Sequence, residues 1–289
     1  MTYEVAKIED YGYKQHKTLN TIWKILSTVL TVFVILLIYL SIFIILIQSF
    51  NSSASTSNFE SFTFEWYTKI FSTRSLWNSI KNTFIVSIVA TSISTVAGTF
   101  IALGIYSLAK KHQKLMLLIN NIPLLNADIV TGVGLMLVFS LAIGVFPYIF
   151  GYTTLILAHV YFSLPYVILS VLPKLRDVGD NLFEASIDLG IKPFKSLRKV
   201  IIPAIRAGII SGMILAFTMS FDDFVVSYFT TGNGVDTLSI WIYGSIGRKS
   251  LTPAVYAFST LFTFVAAAVI LTKNIVMSKM EERKHAKKK

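Results

Sequence analysis

Residues Asp180–Pro203 read DNLFEASIDLGIKPFKSLRKVIIP and run directly into the apolar stretch Val200–Phe221. Asn181 followed by Glu184 is a capping pair, with the acid reaching back to the open N–H groups of a helix start. Gly190 stands where a helix end takes a left-handed residue. Pro193 fits the first turn of a following helix, where its missing N–H is no loss. The spacing therefore predicts a short helix, a tight turn and a second short helix fused to a membrane span. On local chemistry alone, an ordinary capped connection and a specialised docking element are both open readings.

The rest of the chain says what solvent surrounds this loop. Of 289 residues, 54% are hydrophobic and 14% charged, with a mean hydropathy of +0.67. A soluble domain has about a quarter of its residues charged, so the bilayer is the expected solvent. The chain has no cysteine, which excludes disulfides, thiol catalysis and cysteine metal sites.

A spanning helix needs about 20 mostly apolar residues. Ile25–Ile47 and Asn82–Ala109 are uncharged and long enough, and the first is too long for a signal-peptide core. Ile129–Pro173, also uncharged, has length for two spans, with Gly144, Pro147 and Gly151 marking a turn between them. Val200–Phe221 and Leu251–Thr272 complete an expected count of six. The fold class expected is all-α, a polytopic transmembrane bundle of about six spans. Residues 1–24 are expected to form a cytoplasmic N-terminal segment, 25–277 the transmembrane domain (core about 79–277, cytoplasmic loop 174–203) and 278–289 a basic tail.

Orientation follows from where Lys and Arg fall. The first 24 residues hold four, Lys110–Lys114 three, Lys174–Arg206 seven and Lys273–Lys289 seven. The alternate connections hold few: Lys69, Arg74 and Lys81, then none at 147–152, then Arg248 and Lys249. Both termini are thus expected in the cytoplasm, and the net charge of +11 is accounted for without nucleic acid.

The chain has no Gly-x-x-x-x-Gly-Lys-Ser/Thr loop to cradle phosphate and no His-Glu-x-x-His. Its four histidines are scattered; His159 alone lies within a span, where a hydrogen bond to a neighbouring helix and a pore role are both open. No catalytic constellation or cofactor site is visible, so active transport would need energy and substrate capture from partners.

Glu184, Ala185, Gly190 and Pro203 match, at the right spacing, the signature of bacterial ABC importer permeases: Glu-Ala-Ala, three residues, Gly, nine residues, Ile-x-Leu-Pro. Ser186, Val200 and Ile202 depart from it by small or apolar exchanges. The resemblance extends over most of the chain. Ser49–Ser53 (SFNSS), Asn126–Gly132 (NADIVTG), Leu157–Val167, Phe221–Gly232 (FDDFVVSYFTTG) and the LSIWIYGSIGRKSLTPAVYAFSTL stretch resemble the second permease subunits, PotC-like, of spermidine/putrescine transporters. Where that family commonly has Ser-Pro-Asp, this chain has Asn126-Ala127-Asp128, which keeps the aspartate and not the proline of the local kink. The resemblance implies a type I ABC importer permease fold in which the loop is a coupling helix, with Glu184, Ala185, Ser186, Gly190 and Pro203 meeting the ATPase. It further implies two ATPase copies, a second, different permease and an external polyamine-binding protein as partners, in a bacterial cell membrane.

Asp128, Asp222 and Asp223 are the acidic residues in or at the ends of apolar spans. A charge at the membrane centre costs about 2.5–3.5 kcal/mol, so an adjacent pair would cost about 5–7 kcal/mol. Such residues either face a wet cavity or mark a helix end at the interface. Phe221, Tyr228 and Trp241 stand near them, with Phe224, Phe229 and Tyr243, and ring faces attract cations. An interfacial aromatic belt is the competing reading. Together, carboxylates and rings suit a flexible polycation. Iron(III), sulfate or a phosphonate remains an alternative cargo, and a secondary transporter an alternative class, although an anion path would call for Arg or Lys at depth.

Overall fold

The computed structural model describes residues 2–53, 58–179, 181–232, 234–246, 253–265, 267–268 and 271–272, with side chains from Asn20 onward. Asp180, Arg248, Lys249 and the basic tail 278–289 lie outside the described residues. The chain divides into two compact units, one of residues 1–72 with 246–289 and one of 73–245.

The first unit begins with α1 (Thr2–Gln48), a single helix of 47 residues. No Gly or Pro breaker stands between residues 1–24 and the apolar stretch from Ile25, and the helix runs through that junction. Its apolar window is exposed all round, as a lipid-facing span should be. Beyond α1, the SFNSS stretch is organised by Asn51. Its amide donates to Asn58 O (2.8 Å), and its Oδ1 accepts from the N–H groups of Ser53 (3.1 Å) and Glu60 (3.2 Å). The Trp66 indole, on α2 (Glu65–Ser72), donates to Asn51 O at 2.7 Å. Phe50, Phe62, Phe64 and Tyr67 pack as a ring cluster beside it.

The second unit is built on three packed helices: α3 (Arg74–Tyr106), α6 (Tyr152–Val178) and α10 (Arg206–Asp222). Small residues let their backbones meet, the usual solution where lipid removes any hydrophobic drive between helices. A Cβ built on Gly98 of α3 would lie 2.8 Å from Val167 Cβ, and one on Gly208 of α10 would lie 2.8 Å from Ser170 O. Gly212, Ala216 and Ser220 continue the buried stripe of α10 at four-residue steps. Val167, Ile168, Val171, Leu172 and Leu175 of α6 form the core with Ala102, Ile105, Ile201, Ile205 and Ala216.

The expected third and fifth spans are bent. α4 (Lys110–Leu125) and α5 (Asp128–Ala142) meet at 100° and together are long and apolar enough for one span. The break falls at Asn126 and Ala127, both extended with ψ of 143° and 138°. The kink is therefore present without the family's proline. The expected span from Ile129 is only the second limb of this pair, while α6 crosses alone. After α5, Gly151 takes φ 121° at the turn into α6. Near Pro203, a π-helical turn (Leu197–Ile201) precedes α9 (Ile202–Ala204), and α10 leaves at 69° after Ile205. A proline lacks an N–H and crowds the carbonyl four residues back, and the wide turn relieves that crowding. Among the described residues, three single helices are long and apolar enough to span a membrane, and counting each bent pair as one span brings the number to five. Of the sixth expected span, the described part includes an apolar helix, Pro253–Val265.

Candidate functional site

The loop predicted from Asp180–Pro203 forms α7 (Asn181–Asp188) and α8 (Pro193–Ser196). Gly190 takes φ 77°, the left-handed conformation its position predicts. The Gly190 N–H donates to Ile187 O (2.8 Å) and the Ile191 N–H to Ser186 O (3.1 Å), which closes the helix end. Pro193 occupies the first turn of α8, as the sequence predicts. Sequence reasoning missed the tie between the two helices. The hydroxyls of Ser186 and Ser196, both buried, hydrogen-bond each other. Ser186 donates its own proton to Phe183 O (2.7 Å), so Ser196 is the donor in the pair. The departure from the family alanine at 186 thus supplies a fastening that alanine cannot make. Glu184, Ala185 and Pro203 are exposed, the first two on the surface of α7.

The carboxylates separate into different environments. Asp222 ends α10 and is exposed. Asp223, largely buried, turns back to cap α11 (Val225–Thr230): its Oδ1 accepts from the Val226 N–H (3.3 Å) and its Oδ2 from the Ser227 N–H (2.7 Å). Asp128 is exposed at the start of α5, and α5 touches α11, which Asp223 caps, where Gly132 approaches Phe229 and Val226.

Asp223 also closes a buried polar junction. His159 on α6 pairs its Nδ1 with the Ser220 hydroxyl of α10 (2.7 Å) and its Nε2 with the Ser227 hydroxyl of α11 (3.0 Å), with Asp223 Oδ2 at 3.8 Å. His159 therefore makes the inter-helix hydrogen bonds that one sequence reading allowed it. Both ring nitrogens are engaged, and the ring is 1% exposed.

The rings divide likewise. Phe224, Tyr228 and Tyr243 form one cluster, with centroids 4.8–6.0 Å apart, directly after the aspartates. Tyr228 and Tyr243 are about half exposed and can offer ring faces to a cation. Phe221 packs against Phe84 (5.2 Å) and Phe217 (5.6 Å). Trp241, on α12 (Leu238–Ile246), is buried and donates its indole N–H to Ser75 Oγ (3.1 Å). This bond ties it to the start of α3, so a packing role explains it without a solute.

The comparisons fit this architecture. Residues 94–280 match the family model described as binding-protein-dependent transport system inner membrane component. The spermidine/putrescine transport system permease protein PotC of Escherichia coli K12 is 27% identical over 230 residues, covering 80% of this chain and 85% of that protein. Its Haemophilus influenzae counterpart is 29% identical over 231 residues, covering 80% and 88%. The putrescine transport system permease protein PotI of Escherichia coli K12 is 29% identical over 242 residues, covering 82% and 85%. In fold, the chain is similar to a chain in the crystal structure of a bacterial ABC transporter involved in the import of the acidic polysaccharide alginate. The TM-score is 0.63 at 16% identity, covering 92% of this chain and 98% of that one. The family match takes in α6, the α7–α8 loop and α10, the elements on which both candidate sites are built, and the chain belongs to the binding-protein-dependent transport system inner membrane components.

Proposed function

We propose that this chain is one permease subunit of an ATP-driven importer of polyamines, spermidine or putrescine. The observation that carries the reading is the loop 181–203. Its paired short helices stand fixed by Gly190 and by the Ser186–Ser196 bond, in a chain without a phosphate-binding loop. Such a rigid exposed knob suits docking to a separate ATPase, with Glu184 and Ala185 on its surface and Pro203 setting the bend behind it. Two ATPase copies, a second, different permease and an external polyamine-binding protein complete the machine. The chain itself hydrolyses no ATP and needs no nucleic acid. Both termini are cytoplasmic, in a bacterial inner membrane. Similarity to relatives named for spermidine and putrescine transport supports the cargo.

The path for the solute runs past Asp222 and the Phe224–Tyr228–Tyr243 rings. Asp128 and Asp223 add negative potential, and Phe221 and Trp241 hold the surrounding packing. A polyamine crossing the bilayer loses hydration from several ammonium groups, and fixed carboxylates offset part of that loss. The test is ATP-driven uptake of labelled spermidine and putrescine by vesicles holding the assembled transporter. The Asp222→Asn/Asp223→Asn double variant should assemble and lose most uptake, because asparagine keeps an acceptor for the α11 cap but not the charge. Full polyamine uptake by that variant would refute the cation path and leave the permease assignment standing.

A further inference from the structure

At the α7 end of the second unit lies a cavity of about 990 Å³. The last turn of α3, the first half of α4, the end of α6 and α7 enclose it. Its charged lining is Lys110, Lys114, Arg176 and Glu184, so cations outnumber anions. Among the described residues, none forms an ion pair with these three cations. Lys110 and Lys114 stand four residues apart on one helix face, where like charges repel. Gln113 holds them there, since its amide donates to Tyr106 O (2.9 Å) and Leu108 O (2.8 Å) and fastens α4 to the end of α3. The remaining wall is largely apolar, including Leu103, Leu117, Leu175, Val178 and Leu197. Just outside it, α4 exposes Leu115, Leu118 and Ile119.

We propose that this cavity binds the phosphate headgroup of an anionic phospholipid, held by Lys110, Lys114 and Arg176, with its acyl chains against the exposed apolar face of α4. Cations without an ion pair among the described residues call for an anion. The cavity's position at the ends of α3 and α6, both long enough to cross the membrane, calls for an anion that carries an apolar tail. Basic pockets between spanning helices hold lipid headgroups by this chemistry. Phe183 and Glu184 of α7 also line the cavity, so a headgroup here touches the base of the α7 knob and steadies α4 and α6 against it.

The experiment uses the full chain in its assembled transporter, embedded in discs of phosphatidylcholine mixed with phosphatidylglycerol. Native mass spectrometry reads which lipid stays bound. Each basic side chain near a lipid surface is worth about a fivefold preference, so the Lys110→Gln/Lys114→Gln/Arg176→Gln variant should lose about a hundredfold in retention of phosphatidylglycerol over phosphatidylcholine. Lys69→Gln/Arg74→Gln/Lys81→Gln, which leaves the cavity intact, should lose none. Should the triple variant not assemble, Lys114→Gln alone decides the matter: removing one lining cation should lower phosphatidylglycerol retention about fivefold. Three results would overturn the proposal. One is unchanged phosphatidylglycerol retention in the cavity variants. Another is equal displacement by soluble glycerol 3-phosphate, which would make the site one for a free anion. The last is cross-linking of Lys114 to an ATPase subunit with no lipid retained.

Discussion

At the residue scale, the distinction that matters is between side chains whose chemistry serves the fold and those left over for a solute. Asp223 and Asp222 are neighbours in sequence with opposite employment. Asp223→Ala removes the acceptor for two α11 N–H groups, and losing such a cap costs about 0.5–2 kcal/mol. It should lower the thermal midpoint of the detergent-solubilised subunit, whereas Asp222→Ala, at an exposed helix end, should leave the midpoint alone. Equal shifts for the two would contradict the capping geometry. In the α7–α8 loop, Gly190→Val forces a β-branched residue into φ 77°, where a side chain costs about 1–2 kcal/mol. The altered loop should hold the ATPase less firmly, seen as loss of the ATPase subunit on affinity purification. Undiminished co-purification and uptake would remove the coupling role. Ser186→Ala should loosen the loop by a similar amount. It leaves Ser196 with a buried unsatisfied hydroxyl, a penalty of about 1–3 kcal/mol, and hydrogen exchange over 181–196 should quicken.

At the scale of elements, the packing of α3 and α10 on α6 depends on glycine at points of backbone contact. Gly98→Ala would bring a methyl to 2.8 Å from Val167, and overpacking of this kind costs about 1–3 kcal/mol. Val167→Ala alone opens a void in the same core. The two changes together should recover much of what Gly98→Ala loses, because the new methyl enters the space the valine vacated. A thermal unfolding cycle over the single and double variants checks this, and strict additivity would mean that the two sites do not touch. The same elements explain the bent spans. Asn126 and Ala127 in extended conformation turn the chain from α4 into α5.

At the scale of the whole molecule, the charge alternation fixes an expected orientation that a simple measurement reads. Reporters joined after Ala109 and after Lys289 should fall on one side of the membrane, the cytoplasmic side. Opposite sides would reverse the assignment of the α7 knob to the ATPase face. The cavity at the α7 end gathers Lys110, Lys114 and Arg176 at one end of the second unit, the ends that charge counting assigns to the cytoplasm. The apolar spans and the loop of short helices were legible in the sequence. Spans are read from apolar length because lipid leaves backbone groups no partner but the helix itself. The loop was readable because Gly190 and Pro193 each have a local conformational requirement that needs no distant neighbour to express it.

What the sequence by itself determined was therefore everything set by local chemistry and by the membrane: the all-helical class, the apolar stretches, the turn at Gly151, and the two short helices of the loop. Tertiary structure alone decided which polar groups meet. Ser186 and Ser196 pair across the loop. His159 joins Ser220 and Ser227 from different helices, Trp241 turns to Ser75, and Asp223 is taken by a cap while Asp222 stays exposed. The break at Asn126–Ala127 belongs to the same class, since it appears without the family's proline, whereas Pro203 announces the bend that follows α9. The physical reason is range. A capping preference or a span length acts within a few residues, whereas a hydrogen bond between residues 61 or 166 positions apart exists only after packing has brought their helices together.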